Sequence, residues 1–313
     1  MKNKVYITGA TGRVGRKVLN RIPDAIPLVR KESGLPNEIV VDFSDVKKLS
    51  GILADASVLI HIAGSVKTYD KEELWESNYE LAKRFMRAVP EDAKVVFAST
   101  ISVYGKKLMS IPADEETPVH PDSEYAKSKY EAENRVRMHK NQVILRIGTV
   151  YGPEFEDYFY ILKLLEKGKM NIIGKGNNRV PFVNIIDVAD AFVAAVEKGS
   201  GIYVISGECR TQKEIYDIAC KEMKIAPPAH NTPVPVAEFG AWLMELDAEL
   251  FRKKAKITKE HIAILSSDRC FNCNRARREL GFLPIRPEDG IVEMVRAYEE
   301  RKRLSTESRN ESI

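Results

Sequence analysis

Short apolar runs alternate with amphipathic stretches over the first 150 or so residues, and this alternation predicts the architecture. Val5-Tyr6-Ile7 is followed by Val14, Val18, Leu19 and Ile22, which share one helical face. Ala25-Ile26-Pro27-Leu28-Val29 and Ile39-Val40-Val41 read as a second and a third strand. Val58-Leu59-Ile60-His61-Ile62-Ala63-Gly64 is a fourth, nearly continuously apolar, as a strand buried on both faces of a parallel sheet should be. Glu73 to Val89 reads as a helix, Lys94-Val95-Val96-Phe97-Ala98 as a fifth strand, and Ser123 to about His139 as a long helix. Strands alternating with helices predict an α/β fold with a doubly wound parallel sheet. Right-handed crossovers then set the carboxyl ends of the strands along one rim, with Gly9, Arg30, Asp42, Gly64 and Thr100 on it.

Beyond residue 148 the pattern breaks up. Tyr151 to about Arg179 leaves the sheet through an apolar helix, Tyr158 to Leu165, and the turn Gly174-Lys175-Gly176. Val183-Asn184-Ile185-Ile186-Asp187 and Gly201-Ile202-Tyr203-Val204-Ile205 return to strand character, with a helix from Val188 to Lys198 between them. Pro227 to Pro235 reads as a linker. Ala237 to Lys256 reads as an amphipathic helix whose stripe of Phe239, Leu243, Leu246 and Leu250 should face a core. The expected organisation is a cofactor domain of residues 1–148 plus about 182–206, and a smaller, discontinuous C-terminal substrate lobe of about 149–181 plus 207–304. Residues 305–313 form a flexible tail.

Three glycines spaced three apart close the first strand: Gly9, Gly12 and Gly15 in Thr8-Gly9-Ala10-Thr11-Gly12-Arg13-Val14-Gly15. Gly9 can take the positive φ of a sharp turn. Gly12 has no Cβ, so a diphosphate can approach the backbone, and Gly15 lets the helix sit close to the strand. The free N–H groups at the helix start favour an anion. The stretch reads as a dinucleotide-binding turn, although its G-x-x-G-x-x-G spacing differs from G-x-G-x-x-G. The second strand ends at Arg30-Lys31. A carboxylate there would bind a ribose 2′-hydroxyl, whereas two cations suit a 2′-phosphate. Arg13 can reach the same point. NADP is therefore expected ahead of NAD.

Composition narrows the partners. The chain has 313 residues, 44% hydrophobic, and a formal net charge of +4 with no long basic block. Nucleic-acid binding is not indicated. No apolar run approaches the roughly 20 residues that span a bilayer, and no leader precedes the first strand, so a cytoplasmic protein without membrane contact is expected. Cys209, Cys220, Cys270 and Cys273 include a single C-x-x-C, too few ligands for a structural zinc, and read as free thiols in a reducing compartment. No metal is expected.

The fifth strand ends in hydroxyls, Ser99-Thr100-Ile101-Ser102-Val103-Tyr104-Gly105, and a loop leads from it to Tyr125-Ala126-Lys127-Ser128-Lys129. Tyr125 and Lys129 are four apart and share a helix face. Tyr79 with Lys83 and Tyr298 with Lys302 have the same spacing but no hydroxyl-ended strand just before them. A phenol, with a reference pKa of roughly 10, is a poor base at neutral pH. A neighbouring ammonium favours the phenolate and brings it nearer the working range of an acid/base. Thr100 can hold a substrate oxygen beside it, and a nicotinamide carries the hydride. His61 reads as a core or strand-end histidine.

Together these stretches resemble the extended short-chain dehydrogenase/reductase family, also called the NAD-dependent epimerase/dehydratase family. The matching motifs are TGATGRVG from Thr8, VVDFSD from Val40, HIAG from His61, Asn78, STISVYG from Ser99, YAKSK from Tyr125, RIGTVYGP from Arg146, IIDVAD from Ile185 and RARRELGFLP from Arg275. The resemblance implies a Rossmann-type sheet and hydride transfer between a nicotinamide and a secondary alcohol or ketone. It implies Tyr125 as acid/base, Lys129 as the residue that binds the nicotinamide ribose and tunes Tyr125, and Thr100 at the catalytic Ser/Thr position. Gly9, Thr11, Gly12, Arg13, Val14 and Gly15 would bind the diphosphate side together with Ala63 and Gly64. Asp42 and Phe43 would meet the adenine, Asn78 would support the site, and Ile147 and Val150 would pass the nicotinamide. The helices Glu73 to Val89 and Tyr125 to His139 resemble the pair that forms a four-helix homodimer interface. Many sugar-nucleotide members carry an arginine two residues before the aromatic that here is Phe182. This chain has Val180 there, with Arg179 one residue off, which resembles the branch acting on hydroxysteroid and flavonoid-type ketones. A nucleotide-sugar 4-epimerase or dehydratase, and a non-catalytic NADP-binding regulator, are the alternatives.

Overall fold

In the computed structural model, which describes residues 4–66, 70–250 and 257–310, the alternation becomes four strand–helix–strand connections and then a looser second half. The first half contains β1 (Lys4–Thr8), α1 (Arg13–Arg21), β2 (Ile26–Val29), β3 (Ile39–Val40), α2 (Val46–Leu53), β4 (Ala56–His61), α3 (Lys71–Leu74), a π-helical turn (Trp75–Glu80), α4 (Leu81–Ala88), β5 (Lys94–Thr100), α5 (Glu124–Arg137) and β6 (Gln142–Ile147). The second half adds β7 (Thr149–Tyr151), α6 (Phe159–Glu166), β8 (Ile172–Ile173), β9 (Arg179–Val180), β10 (Phe182–Asn184), α7 (Ile185–Glu197), β11 (Gly201–Ile205), β12 (Arg210–Thr211), α8 (Gln212–Met223), β13 (Asn231–Thr232), α9 (Val234–Leu250), α10 (Lys259–Ser266), α11 (Asn274–Leu280) and α12 (Pro287–Asn310).

Seven strands form one parallel sheet in the order β11-β6-β5-β4-β1-β2-β3. This is the doubly wound, Rossmann-type arrangement that the pattern predicts, with the strand order reversing direction between β1 and β4. One core lies on the face covered by α1 and α7, around Ile7, Ile60, Val96 and Leu145. The other lies under α2, α4 and α5, around Leu28, Leu59, Phe85 and Phe97. Alternate residues of each strand feed alternate cores, so the strands read as continuous apolar runs.

The second half is built differently. Its remaining strands make three two-stranded ladders, β10 with β7, β12 with β9 and β13 with β8. The β7–β10 ladder joins residues from both sides of the expected boundaries at 149 and 182. A third core gathers α6, α8 and α12 around Tyr151, Leu162, Tyr216 and Val295. A small fourth one holds Ile173, Ala241 and Ile262.

Three local expectations need correction. Ile185 and Ile186 are helical, because the Asn184 side chain caps α7 by accepting from Ile186 N at 2.9 Å, and a cap outweighs β-branched propensity. Helix α12 continues through Leu304 to Asn310, where a frayed tail is expected; residues 311–313 lie outside the described residues. Helix α9 ends its description at Leu250, so the expected extension to Lys256 lies outside the described residues too. Its apolar stripe does not enter a core: Phe239, Leu243, Leu246 and Leu250 are all exposed. The face of α9 that packs carries Val234, Ala237 and Ala241 instead, against Ile173, Ile262 and Leu265. Small side chains let the helix backbone come close, and the larger residues are left outside.

Candidate functional site

The glycine turn is shaped by close backbone approach. Gly9 has φ of 75°, and a Cβ on it would lie 2.6 Å from Ala63 N, at the end of the neighbouring β4. A Cβ on Gly15 would lie 2.1 Å from Gly9 O, so only glycine lets α1 start this close to β1. Gly12 N donates to Gly9 O at 3.0 Å, and Gly12 caps α1 without any side-chain hydrogen bond. Thr11, Gly12 and Arg13 are exposed and Val14 is half-buried. First-turn amides at the switch point thus face outward with no side chain of the chain capping them, which suits a diphosphate. The residues present fit a dinucleotide.

Around this turn the rim residues fall into different environments. Arg30 and Lys31 are exposed just past β2. Asp42 is exposed past β3, and hydrogen bonds from Ser44, then the nearby Arg84 and Lys48, hold its carboxyl below the usual range. Phe43 is buried edge-on against Phe85. Arg13 turns toward the second half of the chain: its guanidinium lies 4.7 Å from the Phe155 ring centroid and donates to Asp157 at 3.2 Å. Ile147 is buried at the end of β6, and Val150, half-buried, sits in β7.

The hydroxyl end of β5 and the start of α5 come together beside β4. Ser123 caps α5, accepting from Ala126 N at 3.1 Å, which fixes the first turn that carries Tyr125. Tyr125 is half-buried. Lys129 is 5% exposed, donates to Ala98 O at 2.5 Å, and sits 4.4 Å from the Phe97 ring centroid. Burial lowers its pKa to about 8, while Glu133 acts in the opposite sense. Thr100 Oγ1 donates to Ser102 Oγ at 3.2 Å. Asn78, in the π-helical turn, donates to Ser65 O and Ser128 Oγ, both at 3.0 Å, and accepts from Ser65 N at 2.9 Å. A Cβ on Gly64 would lie 2.6 Å from Asn78 Oδ1 and 3.9 Å from Lys129 Nζ. The structure therefore brings Gly64, Asn78 and Lys129 into one place. Such π turns frequently mark functional sites, because the extra residue re-aims a side chain. The other two tyrosine–lysine pairs are engaged elsewhere. Lys83 bonds Glu80, while Tyr298 and Lys302 both bond Glu166.

His61 is the core histidine that the sequence reading expects, whereas the ion pair of Glu133 and Arg146 beside the site has no counterpart in that reading. His61 is buried; its Nδ1 lies 2.8 Å from Thr8 Oγ1, and burial, then Lys129, lower its pKa to about 3. Glu133 and Arg146 form a buried ion pair with contacts of 2.5 and 3.1 Å, and Tyr104 OH accepts from Arg146 at 2.8 Å. Ser99 Oγ donates to Glu133 at 2.8 Å. The sequence marks each residue but not their pairing: Glu133 stands four residues after Lys129, and Arg146 is the lone charge in the strand Gln142–Ile147. Cys209 and Cys270 form a disulfide, which corrects the expectation of four free thiols; the fold sets their Cα atoms 5.5 Å apart across 61 residues. Cys220 and Cys273 are the free, buried ones. Arg179 is held by Asp268 at 2.7 and 2.9 Å, and Val180 is buried. Among the described residues no cluster of three or more His, Cys, Asp or Glu is placed to hold a metal ion, and no helix is long and apolar enough to cross a membrane.

The NAD-dependent epimerase/dehydratase family model matches residues 5–206, and the chain belongs to that family. It is an NAD(P)-dependent oxidoreductase of the extended short-chain dehydrogenase/reductase type. A putative UDP-glucose 4-epimerase of Methanocaldococcus jannaschii is 26% identical over 254 residues, 70% of this chain and 82% of the relative. The crystal structure of gox2253 superposes with a TM-score of 0.76 at 24% identity, over 96% of this chain and 99% of that one. The Bordetella bronchiseptica enzyme WbmH in complex with NAD+ gives 0.73 at 19% identity, over 95% and 98%.

Proposed function

We propose that Tyr125 is the acid/base of this enzyme, that Thr100 holds the substrate oxygen, and that Lys129 binds the nicotinamide ribose and lowers the Tyr125 pKa. The observation that carries the reading is the buried Lys129 ammonium one helical turn from Tyr125, anchored on Ala98 O two residues before Thr100. A nicotinamide bound on the rim would supply the hydride acceptor and donor. The chain's own work is then positional. Gly9, Thr11, Gly12, Arg13, Val14 and Gly15, with Ala63 and Gly64, hold the diphosphate. Asp42 and Phe43 meet the adenine, and Ile147 and Val150 flank the nicotinamide. Asn78 braces the loop of Ser65 against Ser128 on α5. Thr100 donates a hydrogen bond to the substrate oxygen, and Tyr125 takes or returns its proton.

Arg30 and Lys31, both exposed past β2 with no carboxylate closing that strand, support NADP ahead of NAD. The substrate reading favoured here is a ketone or secondary alcohol outside the nucleotide sugars. Val180 occupies the position where many sugar-nucleotide enzymes place an arginine, and Arg179 beside it is paired with Asp268. The UDP-glucose 4-epimerase among the relatives supports the second reading, a nucleotide-sugar epimerase. The third and fourth cores support a separate substrate lobe, although Phe271, Ala276, Leu280 and Phe282 of that lobe pack in the first core; the helices Glu73 to Val89 and Tyr125 to His139 are the proposed homodimer contact. The test is to add candidate ketones and nucleotide sugars to the protein with NADPH and NADH. Oxidation of the reduced cofactor by a ketone supports the first reading. Interconversion of a nucleotide sugar without net oxidation supports the second. A protein that binds NADPH and turns over neither class would overturn the assignment.

A further inference from the structure

Ala98, Ser99 and Thr100 are consecutive at the end of β5, and each is tied to a different part of the site. Ala98 O accepts from Lys129 Nζ, Ser99 Oγ donates to Glu133 Oε2, and the Thr100 hydroxyl bonds Ser102. Tyr125, Lys129 and Glu133 follow one another at four-residue intervals along one face of α5. Glu133 is fully buried, so its orientation is fixed by its partners: Ser99 on β5 and Arg146 on β6, two residues that lie opposite each other in the sheet. Arg146 is bonded to this buried carboxylate, and the buried Lys129 ammonium belongs to the residue one helical turn before it.

We propose that Glu133 is a positioning residue of the hydride-transfer site: it locks the register of α5 against β5, and its charge keeps Lys129 protonated. The proposal rests on the placing of Lys129 in that site. A buried ammonium loses the solvation that stabilises its charge, and a nearby anion restores part of it. The groups facing Lys129 are few. On its own helix these are Tyr125 and Glu133. From β5 come the Ala98 carbonyl and the Phe97 ring; from β4 comes His61, whose low pKa keeps it neutral; from the π-helical turn comes the neutral Asn78. Arg146 on β6 is committed to Glu133 and Tyr104. Among the described residues, Glu133 is the only anion in this set. Without it Lys129 would give up its proton closer to neutrality and would no longer favour the Tyr125 phenolate.

The direct readout is the Lys129 titration, followed by carbon-labelled lysine NMR on the full chain, with the resonance assigned from Lys129→Met. In Glu133→Gln, which keeps an acceptor for Ser99, Lys129 should titrate at least about one pH unit lower, within the usual range for a lost opposite charge. The alkaline limb of turnover should move down with it. Glu133→Asp, which keeps the charge, should restore most of the Lys129 titration. If Glu133→Gln leaves an unpaired Arg146 and fails to fold, the double change Glu133→Gln, Arg146→Met removes both charges and should still lower the Lys129 titration. A folded variant without the carboxylate in which Lys129 titrates as in the unmodified protein would overturn the proposal and leave Glu133 as a structural partner of Arg146. The NMR arm needs no substrate. A shifted Lys129 with no turnover of any substrate would therefore sustain the Glu133 proposal while the function reading falls.

Discussion

The seven-stranded body and the C-terminal half solve the burial of apolar side chains in different ways. In the body every central strand is covered on both faces, so Ile7, Leu59, Ile60, Val95 and Val96 are wholly buried. In the second half the strands of the small ladders are two or three residues long, and helices pack on helices around small cores. Helix α9 shows the consequence. Ala237 and Ala241 face inward, whereas larger side chains face out, Phe239 at 60% and Leu250 at 75% exposed. An apolar stripe at helical spacing is thus not by itself a sign of burial. The body's continuous runs are better evidence, because a parallel sheet covered by helices leaves no exposed face for them.

The comparison is most easily broken at Gly15. Any side chain there must displace the Gly9 carbonyl, which is backbone and cannot swing away. Gly15→Val should abolish cofactor binding and collapse the thermal transition of the body; a variant that melts and binds NADPH like the unmodified protein would show that the close approach is not needed. Next in size, Leu59→Ala in the body should cost about 2–5 kcal/mol in denaturant unfolding, whereas Leu243→Ser on α9 should stay within about 0.5 kcal/mol. Equal costs would mean that the α9 stripe is covered in solution.

A pH series sharpens the contrast from inside the body. His61 is neutral when buried, with its pKa lowered to about 3, whereas the unfolded chain binds a proton near the ordinary histidine value of about 6.5. The unfolded state therefore takes up more protons between these values. Stability from this group is present above about 6.5 and is lost as pH falls toward 3. His61→Gln should flatten the drop in melting temperature between pH 7 and 5, and an unchanged drop would assign it to other groups. Smaller still is the rim effect. Arg30→Asp should weaken NADPH relative to NADH by roughly tenfold, the measure of about 1.4 kcal/mol. Raised salt should narrow the gap in the unmodified protein. Equal affinities of that protein for the two cofactors would remove the role of Arg30 and Lys31.

Much of the body is legible in the sequence, for local reasons. The glycine turn, the apolar runs and the Tyr125–Lys129 spacing each record a short-range constraint. The decoy pairs at Tyr79 and Tyr298 are separated from Tyr125 by context alone, and the structure gives them other partners. What the sequence does not disclose depends on distant segments meeting. Glu133 meets Arg146 across 13 residues and Ser99 across 34. Cys209 meets Cys270 only because two loops of the second half adjoin, so spacing in the chain carries no hint of that bond. The π-helical turn at Asn78 has no periodic signature, since the helix before and after it keeps its pattern. Arg13 shows a residue on the expected rim whose partner, Asp157, belongs to a segment that pattern reading treats as separate.

The central claim is that Thr100, Tyr125 and Lys129 form the hydride-transfer site on the cofactor rim. Its most direct test is turnover of a verified substrate by Tyr125→Phe beside Tyr79→Phe, with NADPH affinity measured for both. The account predicts that Tyr125→Phe binds NADPH normally and loses roughly 10²- to 10⁴-fold in turnover, the range for a missing general acid or base, while Tyr79→Phe keeps its rate. Full turnover by Tyr125→Phe would contradict it.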